Sequence, residues 1–210
     1  MKTIAAVLAA DSAAVVMAAA PVPTVSNVRL AQDSNTRKVT INYDLADADA
    51  VVTVILTTNG VPVAGAHLQG MQGDVATVVA KGTGRTITWK PHKFWPEGGK
   101  VEGEIAARVT AWPVESPSPY MVVSLDGTKV VRYYETEDAL PGGIGDSAYR
   151  TTKMVFRKIP AKDVVWVMGS ISANRYVRLK HDYYIGVYPY TKMQAYEIVS
   201  LDARRPELIA

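Results

Sequence analysis

Three histidines, His67, His92 and His181, are the only imidazoles in this 210-residue chain, and no cysteine accompanies them. The lack of cysteine removes disulfides, thiolate metal sites and thiol nucleophiles together. A zinc site or a facial iron triad needs two or three histidines close in space with a carboxylate. Here His67 and His92 fall among strand-like runs, and His181 stands alone ahead of another, as surface or strand-edge residues do. The "GTGR" at Gly82 to Arg85 has the glycines of a phosphate loop. It precedes a strand-like run and no helix, so the helix N-terminus that would bind phosphate is missing and the segment reads as a turn. The remaining candidates are aromatic. Trp95 lies in the loop-like "HKFWPEGG", and Tyr184 and Tyr188 belong to a tyrosine-rich second half. Such side chains are enriched where proteins meet protein or carbohydrate surfaces, and filling a core is the competing role, preferred for Trp89. Alternation places Tyr184 and Tyr188 on one face of a strand and Tyr183 on the other. No catalytic residue, metal ligand or cofactor site is expected.

The elements that would carry these residues follow from composition and pattern. Apolar residues make up 48% and charged residues 20% of the chain, which suits a globular protein rather than a disordered one. The net charge of +3 is mild, and bases interleave with acids along the chain, so no nucleic acid partner is expected. The opening "MKTIAAVLAADSAAVVMAAAPVP" has a single Lys2, an alanine-rich apolar run to Ala20 and small residues at its exit. Residues 1–20 therefore read as a secretory signal peptide, which makes the protein exported. Asp11 and Ser12 break the run, so it does not read as a membrane anchor, and no membrane span is expected after signal removal.

From Thr24 to Glu115 short runs with a period of two take over. Val39, Ile41 and Tyr43 share a face, as do Ile105, Ala107, Val109 and Ala111. Asn59-Gly60 marks a tight hairpin, because both residues tolerate positive φ. Six or seven such runs without a helix-length amphipathic segment predict two packed antiparallel sheets, an immunoglobulin- or fibronectin type III-like β-sandwich over residues 24–115. "PVESPSP" at residues 113–119 holds three prolines in seven positions and reads as an extended linker. Beyond it, "YMVVSLDG" reads as one strand that either completes the sandwich or opens the next domain. "TKMVFRKIP" and "DVVWVMGS" are two more, after the glycine-rich "ALPGGIGDSAYRT". Near the end, Thr191 and Gln194 form a T-x-x-Q capping box for a short helix. Met193, Tyr196 and Val199 share one of its faces, and packing must hold so short a helix in place.

The order "VWVMGS", "VRL", "HDYYIGVYPYTKMQ" resembles the start of the formylglycine-generating enzyme domain, also called the sulfatase-modifying factor domain. Met168 and Gly169 match the Met-Gly that ends an apolar strand, Val177 and Leu179 a V-x-L strand, and Asp182 to Gly186 the aspartate–aromatic–aromatic–Ile-Gly run. Thr191 and Gln194 match the capped helix. The resemblance spans about Tyr120 to Ser200, and implies that residues 120–210 form the first part of an α+β, C-type-lectin-like domain, as in exported bacterial members. It departs at Ala195, which moves Tyr196 one place along and so about 100° around the helix. Family members that generate formylglycine use a cysteine pair and copper later in the domain, and this chain has no cysteine.

The expected protein is mainly β, exported and non-catalytic. It is a binding or structural protein with a truncated sulfatase-modifying-factor-like domain and a protein or carbohydrate surface as partner. The alternative is a fragment of a formylglycine-generating-type enzyme whose catalytic part lies beyond Ala210.

Overall fold

The computed structural model describes residues 20–91, 94–95, 103–128, 130–170 and 173–203. The segment read as a signal peptide lies outside them except for Ala20, and so does His92. The described chain is mainly β, in several antiparallel sheets.

The first unit has two sheets on one core. β1 (Thr24–Gln32), β2 (Val39–Ala46), β7 (Gly82–Trp89) and the short β5 (Gln72–Gly73) form one sheet in the order β1-β2-β7-β5. In the other, β3 (Ala50–Thr58) pairs along its whole length with β8 (Ile105–Pro113) on one edge. Its other edge takes β4 (Val61–Pro62) and β6 (Thr77–Val79). Period-two burial puts Val39, Ile41, Tyr43 and Leu45 of β2 into the core with Ile87, Trp89, Val109 and the even-numbered residues Ala50 to Leu56 of β3. The hairpin expected at Asn59-Gly60 is present: Thr58 pairs with Val61, and both loop residues have positive φ, 48° and 79°. The "GTGR" segment, expected to be a turn, is instead the bulged start of β7. Tyr43 pairs with Arg85 but Leu45 with Gly82, so an extra residue is accommodated, with Gly84 at φ 67° and its N–H donating to the Asp44 carboxylate at 2.8 Å.

The second unit is built on the sheet β10-β9-β11-β14. Its strands are β9 (Tyr120–Ser124), β10 (Val131–Tyr134), β11 (Lys153–Ile159) and β14 (Tyr183–Gly186). "YMVVSLDG" thus opens this unit and does not complete the first. A separate two-stranded ribbon, β12 (Val165–Met168) with β13 (Arg175–Arg178), lies between β11 and β14 in the chain. The helix α1 (Lys192–Ala203) follows. Tyr120, Val122, Val155, Leu140 and Tyr149 make a smaller core between the sheet and the glycine-rich loop with its 3-10 turn at Ser147–Arg150.

Residues 113–119, expected to run as an extended linker, are folded against the second unit. Pro113 still pairs with Ala50, and the Ser116 N–H turns back to the Pro113 carbonyl. Ser118 is completely buried. Lys158 Nζ donates to the Pro117 carbonyl, the Lys158 N–H to that of Pro119, and the Tyr184 hydroxyl to that of Ser118. The prolines remove N–H donors, and the carbonyls of this segment are satisfied by side-chain and backbone donors of the second unit and of the segment itself.

Candidate functional site

The three aromatic candidates are not brought together. Trp95 lies at the edge of the first unit's core, its ring edge-on to Trp89 at 5.9 Å and tilted against His67 at 5.3 Å. His67 Nδ1 is 2.7 Å from the Phe94 carbonyl, so imidazole and indole brace one turn. Tyr184 and Tyr183 alternate as expected, with Tyr183 the exposed one. The strand ends at Gly186, however. The Tyr184 hydroxyl donates to the Ser118 carbonyl at 2.5 Å, whereas that of Tyr188, packed on the second core, donates to the Ile144 carbonyl at 2.8 Å. Arg150 stacks on the Tyr188 ring at 4.8 Å. All three aromatics are partly buried, and each is engaged with the protein itself.

Burial holds the protons of four tyrosines. Burial pushes Tyr134 up to about 12 from the ordinary value near 10, and drives Tyr43, Tyr149 and Tyr184 well above their usual range. Unfolded tyrosines ionise near pH 10 while the folded ones stay protonated, so stability is complete below pH 10 and falls as pH rises from 10 towards 12. In an alkaline titration, the last part of the phenolate absorbance, that of these buried tyrosines, should appear in one cooperative step together with loss of β-sheet circular dichroism. Completion of the phenolate signal with the sheet signal intact would contradict this.

The joint between the two units positions everything outward of it. Every residue from Ala50 to Leu56 of β3 is buried, because the strand is covered on both faces. Its even-numbered residues enter the first core, and Thr53 and Ile55 face the second unit. Glu135, just past β10, brings its carboxylate to this face. It accepts from Arg108 Nη1 at 2.7 Å, from the Thr110 hydroxyl at 3.0 Å and from the Thr53 hydroxyl at 3.4 Å, and Trp112 Nε1 donates to Thr53 at 2.9 Å. The Glu135 side chain is 12% exposed and that of Arg108 60%. Hydrogen bonds to the shielded carboxylate should therefore matter more than the ion pair. Glu135→Ala is expected to cost about 2 kcal/mol, against under about 1 kcal/mol for Arg108→Ala, measured by urea denaturation. Equal costs would put the ion pair first. Two spaces open along the joint, a cavity of about 80 Å³ beside Thr53, Tyr133 and Glu135 and a groove of about 310 Å³ beside Ile55, Arg108 and Asp138. In the first, the Thr53 hydroxyl and the Glu135 carboxylate are both taken up by Trp112, Thr110 and Arg108, and among the described residues no three of His, Asp and Glu gather as metal ligands would.

What the second unit offers instead is surface. The exposed large apolar residues of the described chain concentrate in its last part: Val165, Val167 and Met168 on β12, Tyr176 on β13, Ile185 on β14, and Met193, Tyr196 and Val199 on α1. The capping box forms as expected. Thr191 Oγ1 accepts from the Gln194 N–H at 3.2 Å, and Gln194 Oε1 accepts from the Thr191 N–H at 3.0 Å. Gln194, only 2% exposed, also donates through Nε2 to the carbonyls of Tyr149 and Lys153. The helix is therefore docked by its glutamine, which turns Met193, Tyr196 (69% exposed) and Val199 outward. These residues were not candidates from sequence, because a shared helical face reads as core. Large apolar side chains exposed in such number within one stretch of chain are a mark of interaction surfaces.

No helix among the described residues is long and apolar enough to cross a membrane. Comparison with protein-family models, with curated proteins and with solved structures finds no match.

Proposed function

We propose that the chain is an exported, non-catalytic binding or structural module. In this reading an immunoglobulin- or fibronectin III-like unit carries a C-type-lectin-like part of the formylglycine-generating enzyme kind and holds that part's apolar surface out to a partner. The outward display of Val167, Ile185 and Val199 on three of the last four elements is the observation that carries the reading. A surface of this kind, rimmed by charged residues, suits docking. The chain order of strand, strand, strand and capped helix from Val165 to Ala203 agrees with the order of motifs behind the resemblance. With no cysteine in the sequence, the copper chemistry of the resembled enzymes has no ligands here.

The test is fractionation of cells that produce the protein, with the triple variant Val167→Thr, Ile185→Thr, Val199→Thr as the comparison. Threonine matches valine in shape, and these positions support no core, so the variant folds. The wild-type chain should be recovered with the cell envelope and the variant in the soluble fraction. Identical distribution of the two would overturn the docking role. Conversion of a cysteine-bearing peptide to an aldehyde by the purified chain would overturn the non-catalytic one and favour the enzyme-fragment reading.

A further inference from the structure

The ribbon β12–β13 stands apart from the other strands. It is tied to the second unit by the Lys162–Leu179 bridge, by the Asp163 N–H on the Leu179 carbonyl, and by Trp166 edge-on to Tyr183 at 6.4 Å. Cross-strand partners share a face, so Val165, Val167, Tyr176 and Arg178 form one side. That side is exposed throughout, while Trp166 and Val177 on the other are partly covered. A two-stranded ribbon has little stability of its own, and one that presents valine and tyrosine to water calls for a covering surface.

Charge indicates which surface. From Lys153 to Lys192 the sequence has eight Lys and Arg against two Asp, although the whole chain is only +3. Arg175 on the ribbon and Lys162 and Lys180 at its base are exposed. The two acids do not offset them at the surface: Asp163 is paired with Arg178 at 2.9 Å, and Asp182 accepts from the N–H groups of Ala161 and Lys162 and from Ser116. A second copy of the same basic face would be repelled. Nucleic acid would satisfy the cations but offers no home to Val165 and Val167. A bilayer interface with anionic headgroups satisfies both: the valines enter the acyl boundary, Tyr176 sits at headgroup depth, and the cations meet the phosphates. It also requires no matching groove for a projecting ribbon.

We infer that the β12–β13 ribbon is a peripheral membrane-binding finger that docks on an anionic lipid surface. This rests on the docking role proposed above and names its partner. The test is flotation of the full chain with vesicles of phosphatidylcholine alone or mixed with phosphatidylglycerol, at low and high salt. Binding is expected only to the anionic vesicles, weakening with salt. Arg175→Gln with Lys180→Gln should reduce it roughly 30-fold, and Val165→Asp with Val167→Asp should abolish it. The Val167→Thr variant, which keeps strand propensity, should fall between wild type and the double aspartate and so controls for loss of fold. Soluble glycerophosphoglycerol should not compete, since a free headgroup offers no acyl boundary. No flotation with anionic vesicles, equal flotation with neutral ones, full competition by the soluble headgroup, or variants that float like wild type would each overturn the inference. If vesicles fail while the envelope fraction still retains the wild-type chain, a protein partner replaces the lipid. If both fail, the docking role falls too.

Discussion

Gly65→Ala is expected to destabilise the protein by about 3 kcal/mol, combining an overpacking cost at the upper end of the usual range with a weakened hydrogen bond. A methyl group at Gly65 would lie 2.2 Å from the Leu140 carbonyl oxygen and 2.6 Å from the carbonyl carbons of Ala139 and Leu140. All three are backbone atoms, so no side chain can swing aside. The Gly65 N–H meanwhile donates to the Asp138 carbonyl at 2.6 Å, which holds the two backbones at that separation. Because one contact partner belongs to the first unit and the other to the second, the methyl group acts as a wedge in the joint. The clash also falls beside Leu140, a fully buried member of the second core. For a chain of this size the loss lowers the melting temperature by about 6–12 °C. Gly60→Ala is the control. Gly60 also has a reason to be glycine, its φ of 79°, but nothing lies within 4 Å of its added carbon. That change should cost only about 1 kcal/mol, for the left-handed backbone alone. If Gly65→Ala melts no earlier than Gly60→Ala, the units are not in backbone contact.

The second large effect is at Gln194. Gln194→Leu keeps the volume and removes three hydrogen bonds, leaving the Tyr149 and Lys153 carbonyls and the Thr191 N–H without that partner. Unsatisfied buried groups cost about 1–3 kcal/mol each. Repacking or water entry will relieve part of that, and about 3–4 kcal/mol is expected for the site as a whole. The loss should be local. α1 has no other fully buried side chain from Lys192 to Ser200, so its amides should exchange with solvent at the rate of an isolated short helix while β2, β3 and β7 stay protected. Trypsin cleavage after Lys192 should accelerate in parallel. Unchanged helix protection in the variant would mean that the apolar residues hold α1 and that Gln194 does not.

Much of the β framework was readable from pattern alone, because one-sided burial prints a period of two on β2 and β8. The hairpin at Asn59-Gly60 and the capping box at Thr191 and Gln194 were readable for a different reason: each depends only on residues within four positions of one another. What pattern concealed was everything set by distant pairing. β10 escaped notice because "VRYY" lies half-covered against β9 and β3 and never alternates cleanly. The joint had a trace in the sequence, the unbroken "AVVTVIL", since a continuous apolar run means a strand covered on both faces. Which surface would cover it, through Glu135 and Gly65, could not be told from that run. α1 shows the deeper difficulty. Met193, Tyr196 and Val199 mark a face that ordinarily packs inward, but a single glutamine with three backbone partners outweighs them and rotates that face to solvent. Tyr184 and Tyr188, spaced for one face, are both half-buried, but the strand ends at Gly186 and their hydroxyls reach different carbonyls, those of Ser118 and Ile144.

The functional account stands on the claim that the apolar residues of β12, β14 and α1 form a displayed surface and are not part of any core. Thermal unfolding of the Val167→Thr, Ile185→Thr, Val199→Thr variant tests this most directly. Exposed substitutions change stability by only about 0.5 kcal/mol each, so its melting temperature should lie within about 5 °C of wild type. A fall of about 15 °C or more, the cost of opening a packed core at three points, would contradict it.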